Sequence, residues 1–175
     1  AVDETSWGAA EPGVRGRQTD KKVLIAVAVE RVGRRGFGRI RMRRVPDGSA
    51  DSLQGFVEES IEPGTTVYTD GWLGYERLTA GGYRHRIIFL RGQTKSSSDL
   101  LPRVHRVVSL LKRWLLGTHQ GAVRQSHLDY YLDEFTFRFN RRTSAYRGQL
   151  FYRLAQQAVA VEPTPYKDLI GANHN

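Results

Sequence analysis

A run of seven consecutive apolar residues, VLIAVAV from Val23 to Val29, constrains the fold more than any other feature of the 175-residue chain. Most of the run is β-branched, and it is flanked by the charged residues Lys22 and Glu30. A β-branched run without polar alternation is typical of a strand that is buried on both faces. The chain therefore needs one central strand with further structure packed above and below it.

Shorter segments around this run indicate the order of the other elements. We expect a strand over residues 1–7, a hairpin turn near Gly33, and a strand from Phe37 to Val45. In this last strand one face presents Arg39, Arg41 and Arg43, and the other presents Ile40 and Met42. The later elements alternate between helices and strands: a helix over 47–59, a strand over 65–69, a helix over 73–78, a strand over 85–90, and three helices after residue 100. Three antiparallel strands followed by helices and parallel strands are the order of an RNase H-like α/β fold. We expect a mixed five-stranded sheet flanked by helices, formed by residues 1–161, and a C-terminal tail at 162–175.

The charge of the chain indicates a nucleic-acid partner. Lysine and arginine number 27, of which 22 are arginine, against 18 acidic residues, for a net charge of +9 and a pI near 10.2. Arginine binds phosphate through paired donors, although a charge that serves only solubility, or a codon bias toward arginine, is the alternative. The absence of cysteine excludes disulfides, cysteine zinc fingers and thiol catalysis, and fits a reducing cytoplasm. Because there is no signal peptide and no apolar run near ~18 residues, we expect a cytoplasmic protein that associates with the nucleoid when it binds DNA, and no membrane partner.

Two aspartates occupy positions in this element order where metal chemistry is possible. Asp3 lies within the first strand, and Asp70 ends the fourth, at the edge where open α/β sheets hold ligands. Two-metal phosphoryl transfer needs carboxylates from separate segments that converge on the ions. Strand alternation directs Glu4 to the face opposite Asp3. Asp70-Gly71 is also a common turn signal, but together the two aspartates favour a catalytic site.

Five longer motifs carry a resemblance to a known family: VDETSWG, KKVLIAVAVE, VYTDGWLGY, LKRWLLGTHQGAV and HLDYYLDEFTFRFNRR. They resemble the catalytic domain of DDE-type transposases of bacterial insertion sequences, in the ISXO-like group, and the similarity runs from Ala1 to about Val159. The resemblance implies nicking at the element ends and attack of the freed 3′-OH on target DNA. It further implies two Mg²⁺ ions, with Mn²⁺ as the alternative, double-stranded DNA as substrate, and a homodimer on paired ends. An upstream DNA-recognition domain is also expected, and the abrupt start at Ala1 suggests that the chain is part of a longer protein or of a disrupted open reading frame.

The resemblance assigns metal-binding and catalytic roles residue by residue. Asp3 and Asp70 match the first two metal ligands. The third position, seven residues before the family's lysine at Lys112, is His105 here, where the family usually has Glu or Asn. Histidine is a poorer Mg²⁺ ligand than a carboxylate, so His105 is a tolerated variant, a sign of Mn²⁺ preference, or a mark of a decayed enzyme, and we favour the first. Glu134 is the alternative third carboxylate.

Several basic residues are expected to contact DNA: Lys95, Lys112, Arg113, Arg138, Arg141 and Arg142. The alternative for these residues is a solvated surface or pairing with nearby acids. Three aromatic residues, Trp72, Tyr75 and Trp114, fit a hydrophobic core better than base stacking. The competing functions are a catalytically inactive, truncated remnant that only binds DNA, an RNase H-like junction resolvase, and a basic RNA-binding protein. Binding by this chain alone should be weakly sequence-selective and steeply salt-dependent.

Overall fold

A computed structural model describes residues 1–8, 22–33, 36–88 and 101–166. The predicted loop Gly92–Asp99, which contains Lys95, and most of the predicted turn Gly8–Thr19 lie outside these residues. The strands are β1 (Val2–Gly8), β2 (Lys22–Val32), β3 (Gly36–Val45), β4 (Thr66–Thr69) and β5 (Arg84–Ile87). The helices are α1 (Ala50–Ser60), α2 (Pro102–Gly117), α3 (Leu128–Asn140) and α4 (Arg147–Val159), with 3₁₀ turns at Leu73–Leu78 and Gln125–His127.

The apolar run forms the centre of a three-stranded antiparallel sheet, as predicted. β2 pairs with β1 on one side and with β3 on the other. Its residues alternate between two hydrophobic cores: Ala26 packs in the core that contains α1, whereas Ile25 and Val27 pack in the core that contains α2 and α3. All three are fully buried. A strand between two cores has no polar face, which explains the absence of alternation in its sequence.

The single mixed five-stranded sheet that we predicted is wrong for the described residues. β4 and β5 pair in parallel as a separate two-stranded sheet, and β1 is an edge strand of the other sheet. Ala1 and Val29 exchange hydrogen bonds of 2.8 and 2.9 Å. Because alternate residues of an antiparallel strand bond the same neighbour, the odd-numbered residues of β1 bond β2, and the backbone groups of the even-numbered residues point away from it. The backbone N–H of Glu4 on that edge donates to the Asp3 carboxylate at 2.8 Å. A side chain thus takes the amide that would otherwise pair with a neighbouring strand.

Helix α3 is attached to the outer strand of the sheet by the polar end of its motif. The Asn140 side chain accepts a hydrogen bond from the Ile40 N–H at 2.7 Å and donates to the Ile40 carbonyl at 3.0 Å. The Arg142 guanidinium donates to the carbonyl of Phe37 at 2.6 Å. Because β3 is an edge strand, these side chains satisfy backbone groups that no further strand pairs. The FRFNRR end of the motif therefore has a structural function.

The last helix, α4, differs from the others in its exposure. Its described side chains are exposed or nearly so, and they include Phe151 at 78% and Tyr152 at 64%. None of the helices in the described part of the chain is long and apolar enough to cross a membrane.

The 3₁₀ turn at Leu73–Leu78 packs so closely on α1 that it requires glycine at one position. A Cβ at Gly74 would lie 2.5 Å from the Gly48 carbonyl oxygen and 2.7 Å from a methyl group of Leu53. We expect Gly74→Ala to lower the free energy of unfolding by about 1–3 kcal/mol, since the backbone atom cannot move aside. Gly148→Ala, where nothing lies within 4 Å of the new Cβ, should instead raise it by about 0.4–1 kcal/mol. Urea unfolding measures the free energy of unfolding of both variants. Equal values for the two would contradict the close packing at Gly74.

Candidate active site

Three carboxylates converge where β1 passes the end of β4. One oxygen each of Asp3, Glu4 and Asp70 lies within 4.8 Å of the other two. Asp3 is buried, with 8% of its surface exposed, and the other two are partly buried. Buried carboxylates that approach one another this closely are costly unless a cation or hydrogen-bond donors compensate their charge. The structure therefore brings the two predicted aspartates together and adds Glu4.

A tight turn after β4 directs Asp70 toward the cluster. The Asp70 carboxylate accepts a hydrogen bond from the Trp72 N–H at 3.0 Å, which closes the turn. Between them, Gly71 has a φ of +81°, and a Cβ there would lie 2.6 Å from an Ile87 methyl group. The Trp72 indole N–H donates to the Gly48 carbonyl at 2.8 Å and anchors the turn to the loop before α1. The DGW residues of the motif therefore form the turn and also position the Asp70 carboxylate.

Glu4 is held by a buried tyrosine. The Tyr75 hydroxyl donates to Glu4 Oε2 at 2.8 Å, and its ring lies fully buried in the core beneath α1. Burial, followed by the negative charge of Glu4, raises the pKa of Tyr75 well above its usual value, so the phenol stays a neutral donor. Glu4 does point to the face opposite Asp3, as alternation predicts, yet its carboxylate still reaches the cluster. The sequence signal for Glu4 was its position next to Asp3 in an edge strand. At an edge, side chains from both faces of the strand can reach the same point beside it.

The two predicted residues of α2 lie along one side of that helix. His105 Nε2 is 3.6 Å from Asp3 Oδ2, but His105 is not part of the set whose ligand atoms all lie within 4.8 Å of one another. Lys112 follows two turns later, and its pKa is lowered by burial and then by the charge of Lys22. His105 therefore contacts the first aspartate, while Lys112 lies beside a second lysine at the start of β2.

The predicted DNA-contacting arginines of α3 have partners within the protein. Arg138 donates to Glu134 at 2.8 Å, and the Arg141 guanidinium lies 3.8 Å from the centre of the Phe137 ring. Glu134, weighed as the third carboxylate, is exposed and pairs with Arg138 at a site away from the acidic cluster. Arg113 is exposed on α2.

The aromatic residues pack mainly within the protein. Trp114 makes ring contacts with Tyr131 and Phe135 at 6.2 and 5.7 Å between centroids, in the core beneath α2. Trp72 remains 39% exposed although its indole N–H is bonded. The core interpretation therefore holds for Tyr75 and Trp114 and only partly for Trp72.

An α/β domain with three carboxylates gathered at strand edges is an arrangement that suits divalent-metal chemistry on phosphate. Residues 2–140 match the family model of the ISXO2-like transposase domain. This is most of the chain, and the protein therefore belongs to that family of insertion-sequence transposases. Comparison with curated proteins and with solved structures gave no match. Membership of the family connects the chain to transposition and makes DNA its partner.

Proposed function

We propose that the chain is the RNase H-like catalytic domain of a DDE-type transposase that cuts and joins double-stranded DNA with divalent metal ions. The observation that carries the proposal is the convergence of Asp3, Glu4 and Asp70 in a chain of this family. Asp3 lies in β1, whereas Asp70 directly follows β4, far away in the sequence. Their meeting at one point is the arrangement that metal-dependent phosphoryl transfer needs.

The donor set fits hard divalent cations. Carboxylate oxygens are the ligands that Mg²⁺ prefers, and a few of them suffice because Mg²⁺ keeps several waters. The three carboxylates offer at least three oxygens within 4.8 Å of one another. Mn²⁺ accepts oxygen and imidazole nitrogen, so His105 beside Asp3 also allows this ion. When bound, the ions would polarise the phosphodiester and lower the pKa of water or of a 3′-OH.

The protein side chains would hold this arrangement in place. Asp3 and Asp70 would hold the metal ions, and Tyr75 fixes the Glu4 carboxylate beside them. His105 approaches Asp3 Oδ2 from α2, either as a ligand or as a group that orients that carboxylate. In the first reaction, water attacks a phosphodiester and frees a 3′-OH. In the second, this 3′-oxygen attacks a phosphodiester of the target, forms a new P–O bond and releases the 3′-OH of the target strand.

The charge of the protein agrees with DNA as substrate. A net charge of +9 favours association with phosphate backbones, through contacts that do not read sequence. Two element ends are processed in one transposition event, so we further propose that two copies assemble on paired ends.

Strand cleavage of supercoiled plasmid tests the proposal. We expect the purified chain to convert supercoiled plasmid to nicked circles with Mg²⁺ or Mn²⁺, and not with EDTA, because the carboxylates act through a bound cation. An oligonucleotide with a free 3′-OH should become joined to plasmid under the same conditions. DNA binding without metal-dependent nicking would instead favour the inactive remnant that only binds DNA.

A further inference from the structure

A basic pocket lies at the end of the three-stranded sheet where β1 ends, β2 begins and β3 ends. Its volume is about 490 Å³, and its lining includes Lys22, Arg43, Arg44, Pro46 and Asp129. At about 30 Å³ per water molecule, this space holds a phosphate group with its hydration shell. None of the residues assigned to metal binding lines it.

The two arginines of the pocket are held by partners that leave donors available. Arg43 and Arg44 are adjacent in β3 and leave opposite faces of the sheet: Arg43 pairs with Glu59, and Arg44 donates to Asp129 at 3.2 Å and to the Gln125 carbonyl at 3.1 Å. A guanidinium has five N–H donors, so each arginine keeps some for another acceptor. The two side chains remain 38% and 37% exposed. Arginines fixed in this way are suited to phosphate.

Two lysines add charge beside the arginines. Lys22 is the first residue of β2, and Lys112 of α2 is near enough for the charge of Lys22 to contribute, after burial, to lowering the pKa of Lys112. Ammonium groups that repel each other gain from an anion bound between or beside them. Among the described residues, the lining of the pocket contains three cations, Lys22, Arg43 and Arg44, and one carboxylate, Asp129. These side chains together have a net positive charge.

The position of the pocket relative to the acidic cluster matches the geometry of a DNA strand. Lys22 pairs with Gly8, and Gly8 lies five residues after Asp3 in β1, or about 17 Å along the strand. Phosphates three nucleotides apart on one strand of a duplex are separated by about 10 Å along the helix axis, at about 3.4 Å per nucleotide, and by roughly a third of a turn around it. The distance of about 17 Å therefore corresponds to about three nucleotides. A strand with one phosphate at the acidic cluster can thus place another phosphate at the pocket.

We propose that the pocket formed by Lys22, Arg43 and Arg44 binds a backbone phosphate of double-stranded DNA about three nucleotides from the bond that is cut. The position relative to the cut rests on the proposed function. The phosphate contact itself does not, and it fixes the register of the duplex without reading its sequence.

Salt-dependent binding tests the contact without cleavage. Fluorescence anisotropy with a labelled duplex in EDTA compares the wild-type chain with Lys22→Gln and Arg44→Gln. Each variant should bind about fivefold more weakly near 0.15 M salt, and its log–log salt slope should be smaller by about 0.9. Arg77→Gln is the matched control, since Arg77 is also an exposed arginine paired with an acid, Asp51. Arg44→Lys keeps the charge and should bind within about twofold of wild type.

A scan with neutral methylphosphonate linkages identifies the phosphate. One position in the duplex should weaken wild-type binding about fivefold, and it should weaken binding by the double variant Lys22→Gln/Arg44→Gln much less, because that variant has already lost most of the contact. Unchanged affinity and salt slope in both glutamine variants, or additive losses at every position of the scan, would overturn the proposal. Both results are read in EDTA, so they are independent of whether the chain nicks DNA.

Discussion

Asp70→Asn should abolish metal-dependent nicking, with an expected loss of about 10³-fold. The substitution keeps the size of the side chain and its ability to accept from the Trp72 N–H, so the turn after β4 should survive. It removes the negative charge that a bound cation needs at the end of β4. Metal ions contribute several kcal/mol to phosphoryl transfer, and about 4 kcal/mol corresponds to this loss. Plasmid nicking rates in Mg²⁺ and in Mn²⁺ measure the effect.

The matched control for this prediction is Asp51→Asn. Asp51 is an exposed acid in the first turn of α1 that pairs with Arg77, so its loss leaves the acidic cluster intact. We expect nicking by this variant within about twofold of wild type, because an exposed ion pair contributes about 0–1 kcal/mol even to stability. Nicking that persists in Asp70→Asn while the wild type requires metal would remove Asp70 from the site and with it the proposed mechanism.

His105→Ala should lower the nicking rate about 10- to 100-fold, which is the range for groups that bind or orient the ligands of a metal. The imidazole lies 3.6 Å from Asp3 Oδ2, and its removal takes away a group that holds this oxygen in place, whereas the Glu4 N–H still bonds Oδ1. His105→Asn, which introduces a residue that the family uses at this position, should retain more activity than the alanine variant. Rates measured over a range of Mg²⁺ and Mn²⁺ concentrations separate weaker metal binding from slower chemistry.

Glu4→Gln is the comparison that decides the identity of the third ligand. If Glu4→Gln loses as much activity as Asp70→Asn while His105→Ala retains full activity, the third ligand is Glu4 and His105 has no role in the site. His127→Ala is the control for the loss of a histidine side chain as such. His127 lies at the start of α3, away from the acidic cluster, where its ring contacts Tyr130. Its activity should match the wild type.

The fold was predictable where hydrophobic patterning determines the outcome. The unbroken run in β2 required two cores, and the alternation in β3 correctly placed Ile40 inside and its neighbouring arginines outside. The division of the five described strands into two sheets, in place of the single sheet that we predicted, was not predictable in this way. It depends on which groups satisfy one strand edge, and the amide of Glu4 is taken by Asp3. Periodicity describes the faces of a strand and contains no information about its edges.

The sequence predicted the two aspartates of the candidate site, but this prediction left out Glu4. Element order alone brought Asp3 and Asp70 to the same point. Glu4 was missed because alternation describes the direction in which a side chain leaves the backbone and not the distance that a long carboxylate reaches. The arginines at the end of α3 remain a prediction as DNA contacts. The hydrogen bond from Arg142 to the Phe37 carbonyl shows that this basic motif also has a role within the protein, which its sequence did not indicate.

Adjacent residues of β1 supply carboxylates from both sides of the same strand. A rotation of β1 about its own axis would move Asp3 and Glu4 in the same angular sense, and therefore in opposite directions relative to the plane of the sheet. The spacing between their oxygens and Asp70 thus depends on the torsion of a single strand. Seven consecutive pairs with β2, from Val2 to Gly8, set that torsion. The distances within the cluster are consequently set by the twist of the sheet. A bound duplex that deformed β1 would change these distances directly.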